Sequence, residues 1–286
     1  MKESMADYPF PKAVDFDNLS AKAKKNFNPE GWLLQPKWDG CAMVVNVGRH
    51  WPAWAMTASG KPVKSCSHIL SYVAEHLGEG RYAMEVWRPA TMFQDISGMF
   101  RTHANQPDLV ARVFDGYRMG MDGLSYNTRM NLIHRALPFS GPVQDVSMMG
   151  ERFTTWDKAW QLARFWQAQG GYDGCILRNP EAPWEEGRSK GDVVKLKPLT
   201  DWDLRVTHIK AAVGEKTGRP TVALGCAWKA GQTQYVATGL NHEEQANAER
   251  FVGSIVTVRG MGLTADGFVR EPRYVCVRED KLEADF

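Results

Sequence analysis

Apolar and polar residues alternate in short runs along most of the chain, a pattern that predicts a protein built largely from strands. In the first two thirds, the predicted strands are "GWLLQP", "CAMVVNV", "HWPAWAMTASGKPV", "RYAMEVWRP", "DLVARVFDGYRM", "DGCILRN" and "DVVKLKP". Apolar residues at helical spacing predict helices instead in "NLSAKAKKNF", "SCSHILSYVAEHLGEG", "NTRMNLIHRAL" and "TTWDKAWQLARFWQAQGG". In the last of these, Thr155 is the expected N-cap, Gly170 and Gly171 end the helix, and its tryptophans are expected in the core.

The pattern changes after Pro198. Five short alternating strands and one helical piece, "NHEEQANAERF", occupy the remaining residues. This combination is typical of a small barrel of the oligonucleotide/oligosaccharide-binding (OB) type. We therefore predict an α+β protein with two domains, residues 1–198 and 199–286, joined by a hinge at "KPLTDWD".

Composition narrows the class of protein. The chain has 286 residues, 43% of them hydrophobic and 24% charged, as in ordinary globular proteins. No apolar segment approaches the length of a membrane span, and the N-terminal residues lack the apolar core of a secretion signal. The five cysteines are widely spaced, so we expect reduced thiols, no structural zinc and a cytoplasmic location. A net charge of +2 neither requires nor excludes a nucleic-acid partner.

Lys37 stands in "QPKWDGC", between two predicted strands. Asp-Gly is a good hairpin turn, so Lys37 could be a solvated residue beside a turn. It could instead be a nucleophile, for which this short motif alone is weak evidence.

Charged residues on other predicted strands favour a role for Lys37 as a nucleophile. Because side chains alternate along a strand, Val193, Lys195 and Lys197 share one face. Two lysines are costly in a core, although an edge strand can carry them outward as protection. Glu85 lies among apolar neighbours in "YAMEVW", and Asp173 begins the strand "DGCILRN". Lysines and acids from separate strands could therefore converge in one cleft that holds a phosphate.

Such a set suits nucleotidyl transfer. A lysine nucleophile needs a depressed pKa, which we expect the cations of Lys195, Lys197 and a bound metal to provide. Glu85 and Asp173 are the expected ligands of Mg²⁺, a hard ion that prefers oxygen. The metal and the lysines would offset the charge that develops on the reacting phosphates.

The order of these motifs resembles the covalent nucleotidyltransferase superfamily of polynucleotide ligases and capping enzymes. The stretches "KWDG", "MEVW", "VFDGY", "YDGCILRNP" and "DVVKLKP" stand where that superfamily has its motifs I, III, IIIa, IV and V. The segments "YPFPKAVDF" and "FQDISGMFRTH" are similar to the short ATP-dependent DNA ligases of bacteriophages, and "GFVREPRYVCVREDK" resembles ligase motif VI on the barrel domain.

The resemblance implies ATP-dependent sealing of nicked duplex DNA, as in replication or repair, by a monomer in the cytoplasm (the host's, if the source is a phage). Lys37 would attack ATP to give lysyl–AMP, AMP would pass to a 5′-phosphate, and a 3′-hydroxyl would displace it. By position, Gln35 reads the adenine, Asp39 and Gly40 shape the loop beside Lys37, and Phe114 stacks on the base.

The remaining roles also follow from the resemblance. Glu85 contacts ribose or metal and Asp173 serves the metal. Lys195 and Lys197 bind the α-phosphate. Arg278 and Lys281, with Arg273 and Asp280, match motif VI, which orients pyrophosphate in the first step and requires the hinge to move. We expect Arg101 and Arg273 to contact the nucleic acid.

Two positions depart from the ligase pattern. Ala42 and Ala58 stand where ligases usually have arginines that meet the ribose or the strand end and bind the 5′-phosphate. Arg49, Arg88 or Arg101 could substitute for them. The missing arginines leave RNA ligation open as an alternative, with GTP-dependent capping less favoured. A non-catalytic nucleic-acid-binding protein is the alternative from another class, although it gives no physical reason to retain lysines in a cleft.

Overall fold

The computed structural model describes residues 11–146, 150–189, 191–213, 218 and 220–286, and it divides the chain into two compact units between Pro198 and Leu199. The first ten residues, including the start of "YPFPKAVDF", lie outside the described part. None of the helices in the described ranges has the length and apolar character of a membrane span.

The N-terminal unit contains two five-stranded sheets. Its strands are Pro11–Lys12 (β1), Val14–Asp15 (β2), Leu33–Trp38 (β3), Cys41–Val47 (β4), Trp54–Thr57 (β5), Gly80–Trp87 (β6), Val110–Arg118 (β7), Val143–Asp145 (β8), Glu151–Arg152 (β9), Tyr172–Arg178 (β10), Gly187–Arg188 (β11) and Val193–Leu196 (β12). One sheet has the order β2-β12-β10-β3-β9, the other β5-β4-β6-β7-β8, and β1 pairs with β11. Most pairs are antiparallel; β2 with β12, β7 with β8 and β1 with β11 are parallel.

Helices cover one face of each sheet. They are Ala21–Asn26 (α1), Ser67–Leu77 (α2), Phe93–Phe100 (α3), Tyr126–Ala136 (α4) and Trp156–Gln169 (α5), with a 3₁₀ turn at Phe16–Asn18. The larger core lies between the β4–β8 sheet and α2, α3 and α4. A second core packs α5 against the β3–β10–β12 sheet, which leaves the opposite faces of the two sheets available for a site.

The predicted boundaries of α5 are confirmed. The Thr155 hydroxyl accepts a hydrogen bond from the Lys158 N–H at 3.2 Å, and Gly170 ends the helix at φ 75°. Trp166 is buried, and Trp156 and Trp160 pack against the same core, as the pattern predicts.

The hairpin-turn alternative for the segment at Lys37 is wrong. β3 pairs with β10 and β9, whereas β4 pairs with β5 and β6 in the other sheet. The chain therefore crosses from one sheet to the other at Asp39 and Gly40. A side chain at Gly40 would meet the Val86 carbonyl oxygen at 2.2 Å, so the crossover requires glycine for close approach to β6 rather than for a hairpin turn.

The C-terminal unit is a five-stranded sheet with its own core. Its strands are Thr200–Val213 (β13), Pro220–Ala227 (β14), Thr233–Val236 (β15), Ile255–Gly260 (β16) and Arg273–Val277 (β17), in the order β15-β14-β13-β16-β17. The predicted helical piece is present as His242–Ala246 (α6) and a 3₁₀ turn, Ala248–Phe251; a second 3₁₀ turn is Lys229–Gly231. A bridge between Thr238 and Arg273 links the two edges of the sheet, as expected for an OB-like fold.

Candidate active site

A cavity of about 440 Å³ opens between the two sheets of the N-terminal unit. β3, β10 and β12 form one wall, and β4, β6 and β7 contribute to the other. Six of the residues proposed from sequence line it: Gln35, Lys37, Gly40, Glu85, Phe114 and Lys195. The two sheets thus bring together residues that are up to 160 positions apart in the chain.

Lys37 belongs to β3 and is ion-paired inside the site. Its Nζ lies 2.8 Å from Oδ2 of Asp173, and Nζ of Lys197 lies 2.9 Å from the same oxygen. Asp173 is only 3% exposed. Burial raises the pKa of Asp173, but the two ammonium groups outweigh that effect and hold the pKa below its ordinary value. Asp173 is therefore a carboxylate that fixes both lysines in place.

The pKa of Lys37 does not follow the sequence-based expectation. Burial lowers it, but the carboxylates of Asp173, Glu85 and Asp39 raise it by more, so the net shift is upward. The depression expected from neighbouring lysines is wrong because acids offset their charges: Lys197 shares Asp173 with Lys37, and Lys195 lies 3.1 Å from Asp15. Lys37 is an ammonium ion that must lose a proton before it can attack.

Glu85 faces Lys37 from the other sheet. Its Oε1 accepts a hydrogen bond from the Gly40 N–H at 3.2 Å, which ties the crossover to β6. Burial raises the pKa of Glu85 to about 7, although Lys37 and the Gly40 N–H act in the opposite direction. Near neutral pH this carboxyl can therefore hold or release a proton beside Lys37.

The acids fit a divalent cation of the magnesium type. Oδ1 of Asp173 is buried and has no hydrogen-bond partner among the described residues, while Oδ2 is ion-paired with both Lys37 and Lys197. The described residues contain no cluster of three or more His, Cys, Asp or Glu side chains. Mg²⁺ commonly uses one or two carboxylates and completes its shell with water and substrate phosphate. Asp173 and Glu85 match that donor set.

A buried polar network at the cavity wall was not found from sequence. The Gln35 amide donates to the Tyr126 hydroxyl at 2.8 Å, and the Arg178 guanidinium lies 4.5 Å from the Tyr126 ring centroid. Asp115 accepts hydrogen bonds from Arg178 and from Arg129. Arg129 lies in the predicted helix "NTRMNLIHRAL" and Tyr126 directly precedes it, so only the packing of α4 against β7 reveals them.

Ala42 and Ala58 lie together in the cavity wall. Both line the cavity and pack with Phe114 against buried Val44 and Met56. The positions where ligases usually carry arginines thus form an apolar surface here. None of the three proposed substitutes lines the cavity that the described residues form: Arg88 pairs with Asp108, Arg101 follows α3, and Arg49 is at the exposed end of β4.

The motif VI residues form a cluster in the C-terminal unit. Asp203 is 6% exposed and accepts a hydrogen bond from Arg278 at 2.6 Å, and it also pairs with Lys281. The Asp280 carboxylate accepts two further hydrogen bonds from Arg278, from Nε at 2.8 Å and from Nη2 at 2.7 Å. Arg273 is exposed on β17. Sequence reasoning missed Asp203, which lies 75 residues before Arg278 and becomes its neighbour through the β13–β16 pairing and the C-terminal turn.

Comparison with known proteins agrees with this geometry. Residues 216–278 match the family model of the DNA ligase OB-like domain. A Lig E DNA ligase structure is similar over 94% of this chain and 98% of its own, with 19% identity and a TM-score of 0.73. The bacteriophage T7 ATP-dependent DNA ligase in complex with ATP is similar over 94% of this chain and 98% of its own, with 16% identity and a TM-score of 0.55.

A third structure, the Chlorella virus DNA ligase-adenylate, covers 94% of this chain and 98% of its own, with 17% identity and a TM-score of 0.50. No curated protein sequence matches the chain. At these identities the structural likeness establishes the fold. The chain therefore has the fold of these DNA ligases, and its C-terminal unit resembles the DNA ligase OB-like domain.

Proposed function

We propose that this protein is an ATP-dependent DNA ligase that seals nicks with a 5′-phosphate and a 3′-hydroxyl. The observation that carries the proposal is the convergence of Lys37, Glu85 and Lys195 from three strands on one cavity, with Asp173 ion-paired to both Lys37 and Lys197 beside it. The Lig E, T7 and Chlorella virus proteins with this fold are themselves DNA ligases.

In the first step, Nζ of Lys37 attacks the α-phosphorus of ATP. A P–N bond forms, the bond to the bridging oxygen breaks, and pyrophosphate leaves. The proton lost from the Lys37 ammonium can pass to Glu85, whose pKa of about 7 suits a proton acceptor near neutral pH. Lys195, which lines the cavity, and Lys197, which is paired with Asp173, would bind the phosphates, and Phe114 would offer an aromatic surface to the base.

A magnesium ion held by Asp173, and by Glu85 once that carboxyl has released the proton, would neutralise phosphate charge and strengthen the electrophile. Lys37 would release a proton more readily when these carboxylates are engaged elsewhere, because they are what raises its pKa. In the later steps AMP passes from Lys37 to the 5′-phosphate of the nick. The 3′-hydroxyl then forms the phosphodiester bond and AMP leaves.

Nicked duplex DNA as substrate, a monomeric enzyme and a cytoplasmic location belong to the same proposal. The five cysteines carry free thiols, in keeping with a reducing compartment. RNA-containing nicks are the second candidate substrate, which the apolar surface at Ala42 and Ala58 favours because the expected phosphate-binding arginine is absent there.

The test is covalent labelling followed by nick sealing. Incubation with α-labelled ATP and Mg²⁺ should label the wild-type chain, and Lys37→Ala should abolish labelling. Lys158→Ala removes an exposed lysine on α5 and should label normally. A wild-type chain that takes up no label would contradict the proposal. Sealing of DNA–DNA nicks against RNA-containing nicks then separates the two candidate substrates.

A further inference from the structure

The hairpin formed by β4 and β5, together with the segment that returns along β5, has an unusual charge pattern. We call residues 41–64 the Trp51 hairpin. Between Asp39 and Glu75 the sequence contains no Asp or Glu, whereas the chain's average of 33 acids in 286 residues predicts about four. The hairpin carries Arg49, Lys61 and Lys64 in this stretch. Such an acid-free basic segment attracts a polyanion.

The side chains that give the Trp51 hairpin its charge are on the surface. Arg49, His50, Lys61 and Lys64 are exposed, and none of the three long cations is in an ion pair among the described residues. At the tip, Trp51 is 78% exposed. An indole exposed to that degree is uncommon, because burying it is favourable. Trp54 on β5 is also 48% exposed.

The Trp51 hairpin is continuous with the cavity wall. Ala42 and Ala58 lie at its cavity end, and the cross-strand pair of Asn46 and Trp54 lies towards its tip. Because side chains alternate along strands, Ala42, Asn46, Trp54 and Ala58 belong to the same face of the sheet. The four residue steps from Ala42 to Asn46 span about 13 Å, and the turn at Trp51 extends further.

We propose that the Trp51 hairpin binds the sugar–phosphate backbone of duplex DNA about four to six base pairs from the reacting end, given a backbone spacing of about 3.4 Å per nucleotide. Arg49, Lys61 and Lys64 contact phosphates, and Trp51 packs against a deoxyribose. This inference rests on the proposed ligase function and names a part of its substrate contact. The hairpin supplies cationic contacts away from the cavity in a chain that has alanines at positions 42 and 58.

A purely structural explanation accounts for part of the pattern. β5 is an edge strand, and edge lysines prevent a sheet from pairing with another chain. That role explains Lys61 and Lys64, which lie on the segment returning along β5. It does not explain Trp51, because an exposed indole at the tip would promote association instead of preventing it.

The decisive experiment compares two triple variants of the full chain. R49A/K61A/K64A removes the cations of the hairpin, and the control K22A/K158A/R164A removes three exposed cations from α1 and α5. Affinity for a nicked duplex is measured by fluorescence anisotropy at several salt concentrations. For the hairpin variant, the slope of log affinity against log salt should fall by about 2 to 3, and affinity at low salt should fall at least tenfold. The control should change neither value appreciably.

W51A should weaken nick binding about fivefold and leave the salt slope unchanged, because it removes an uncharged contact. Shortening one duplex arm below about six base pairs should reduce wild-type affinity but not that of the hairpin variant. Equal losses in the two triple variants, or wild-type affinity in the hairpin variant, would overturn the inference.

Lysyl–AMP formation in the same proteins separates this inference from the proposed function. The Trp51 hairpin variants keep Lys37, Glu85 and Asp173, so they should label with ATP as the wild type does, which also reports correct folding. If the wild type fails to label, the proposed function is wrong, and the anisotropy series still tests DNA binding by the hairpin. If labelling is normal and the hairpin variant binds nicks normally, only the present inference fails.

Discussion

Replacing Glu85 by glutamine should stabilise the protein at alkaline pH while it impairs the chemistry. The Glu85 carboxyl has an ordinary pKa of 4.5, which burial raises to about 7. Below pH 4.5 the group is protonated in both the folded and the unfolded chain, so its ionisation does not affect stability. Between pH 4.5 and 7 the folded chain keeps a proton that the unfolded chain loses, and stability falls as pH rises. Above pH 7 the carboxyl is ionised in both states, and the full destabilisation caused by burying its charge is present.

The size of this effect follows from the pKa. A change from 4.5 to about 7 corresponds to about 3 kcal/mol of folding free energy. Glu85 keeps some contact with solvent, so we expect about 2 kcal/mol at pH 8. The attraction of Lys37 is already contained in that pKa, and glutamine retains the oxygen that accepts the Gly40 N–H. Glu85→Gln should therefore be more stable than the wild type at pH 8 and equal to it near pH 4.5.

Thermal unfolding followed by circular dichroism at pH 5, 6, 7 and 8 measures this difference. For a domain of this size, about 2 kcal/mol raises the unfolding midpoint by about 4 to 8 °C. Glu75→Gln is the matched control, because the Glu75 side chain is 76% exposed on α2. A Glu85→Gln midpoint below that of the wild type at pH 8, or a difference that does not grow from pH 5 to 8, would refute the reasoning. ATP labelling of the variant should be strongly reduced at every pH.

Two further variants test the alanines that stand at usual arginine positions and the motif VI cluster. Ala58→Arg should tighten binding to 5′-phosphorylated nicks about five- to tenfold, through a charge-assisted contact at the cavity wall, and should not affect 5′-hydroxyl nicks; unchanged affinity in a gel-shift series would count against it. Asp203→Asn removes the acid that holds Arg278 and Lys281 together, so lysyl–AMP formation should fall at least tenfold while sealing of pre-adenylated nicks continues. Equal loss of both activities would indicate a general folding defect instead.

The strands and helices could be predicted because their patterns are local. Alternation along Gly80–Trp87 and Val193–Leu196 places Glu85 and Lys195 on the cavity side, and a cap and a glycine mark the ends of α5. The sheet to which each strand belongs could not be predicted. Leu33–Trp38 pairs with Tyr172–Arg178, more than 130 residues later, and this long-range pairing prevails over the local turn preference of Asp-Gly.

The same limit applies to the candidate site. The residue types and their order identify Lys37, Glu85, Asp173 and Lys197 as candidates. The pKa of Lys37, however, depends on which acid lies nearest, and that is decided by how β3 and β10 are aligned. Asp15 is likewise far from Lys195 in sequence and is placed beside it by the parallel pairing of β2 with β12. Charge balance inside a cavity is a property of tertiary structure.

The crossover at Asp39 and Gly40 also makes the site a reporter of the integrity of the domain. The Asp39 N–H is bonded to the Gly171 carbonyl oxygen next to one sheet, and the Gly40 N–H is bonded to Glu85 of the other. Each amide is therefore protected by a different sheet, so the exchange of the two with solvent reports the opening of each sheet beside the crossover. Lys37 is one peptide bond from Trp38, which packs on Trp87 and Tyr172 at the same junction. The position of Lys37, the proposed nucleophile, thus depends on both sheets: on β10 through the pairing of its own strand, and on β6 through the contact of Trp38 with Trp87.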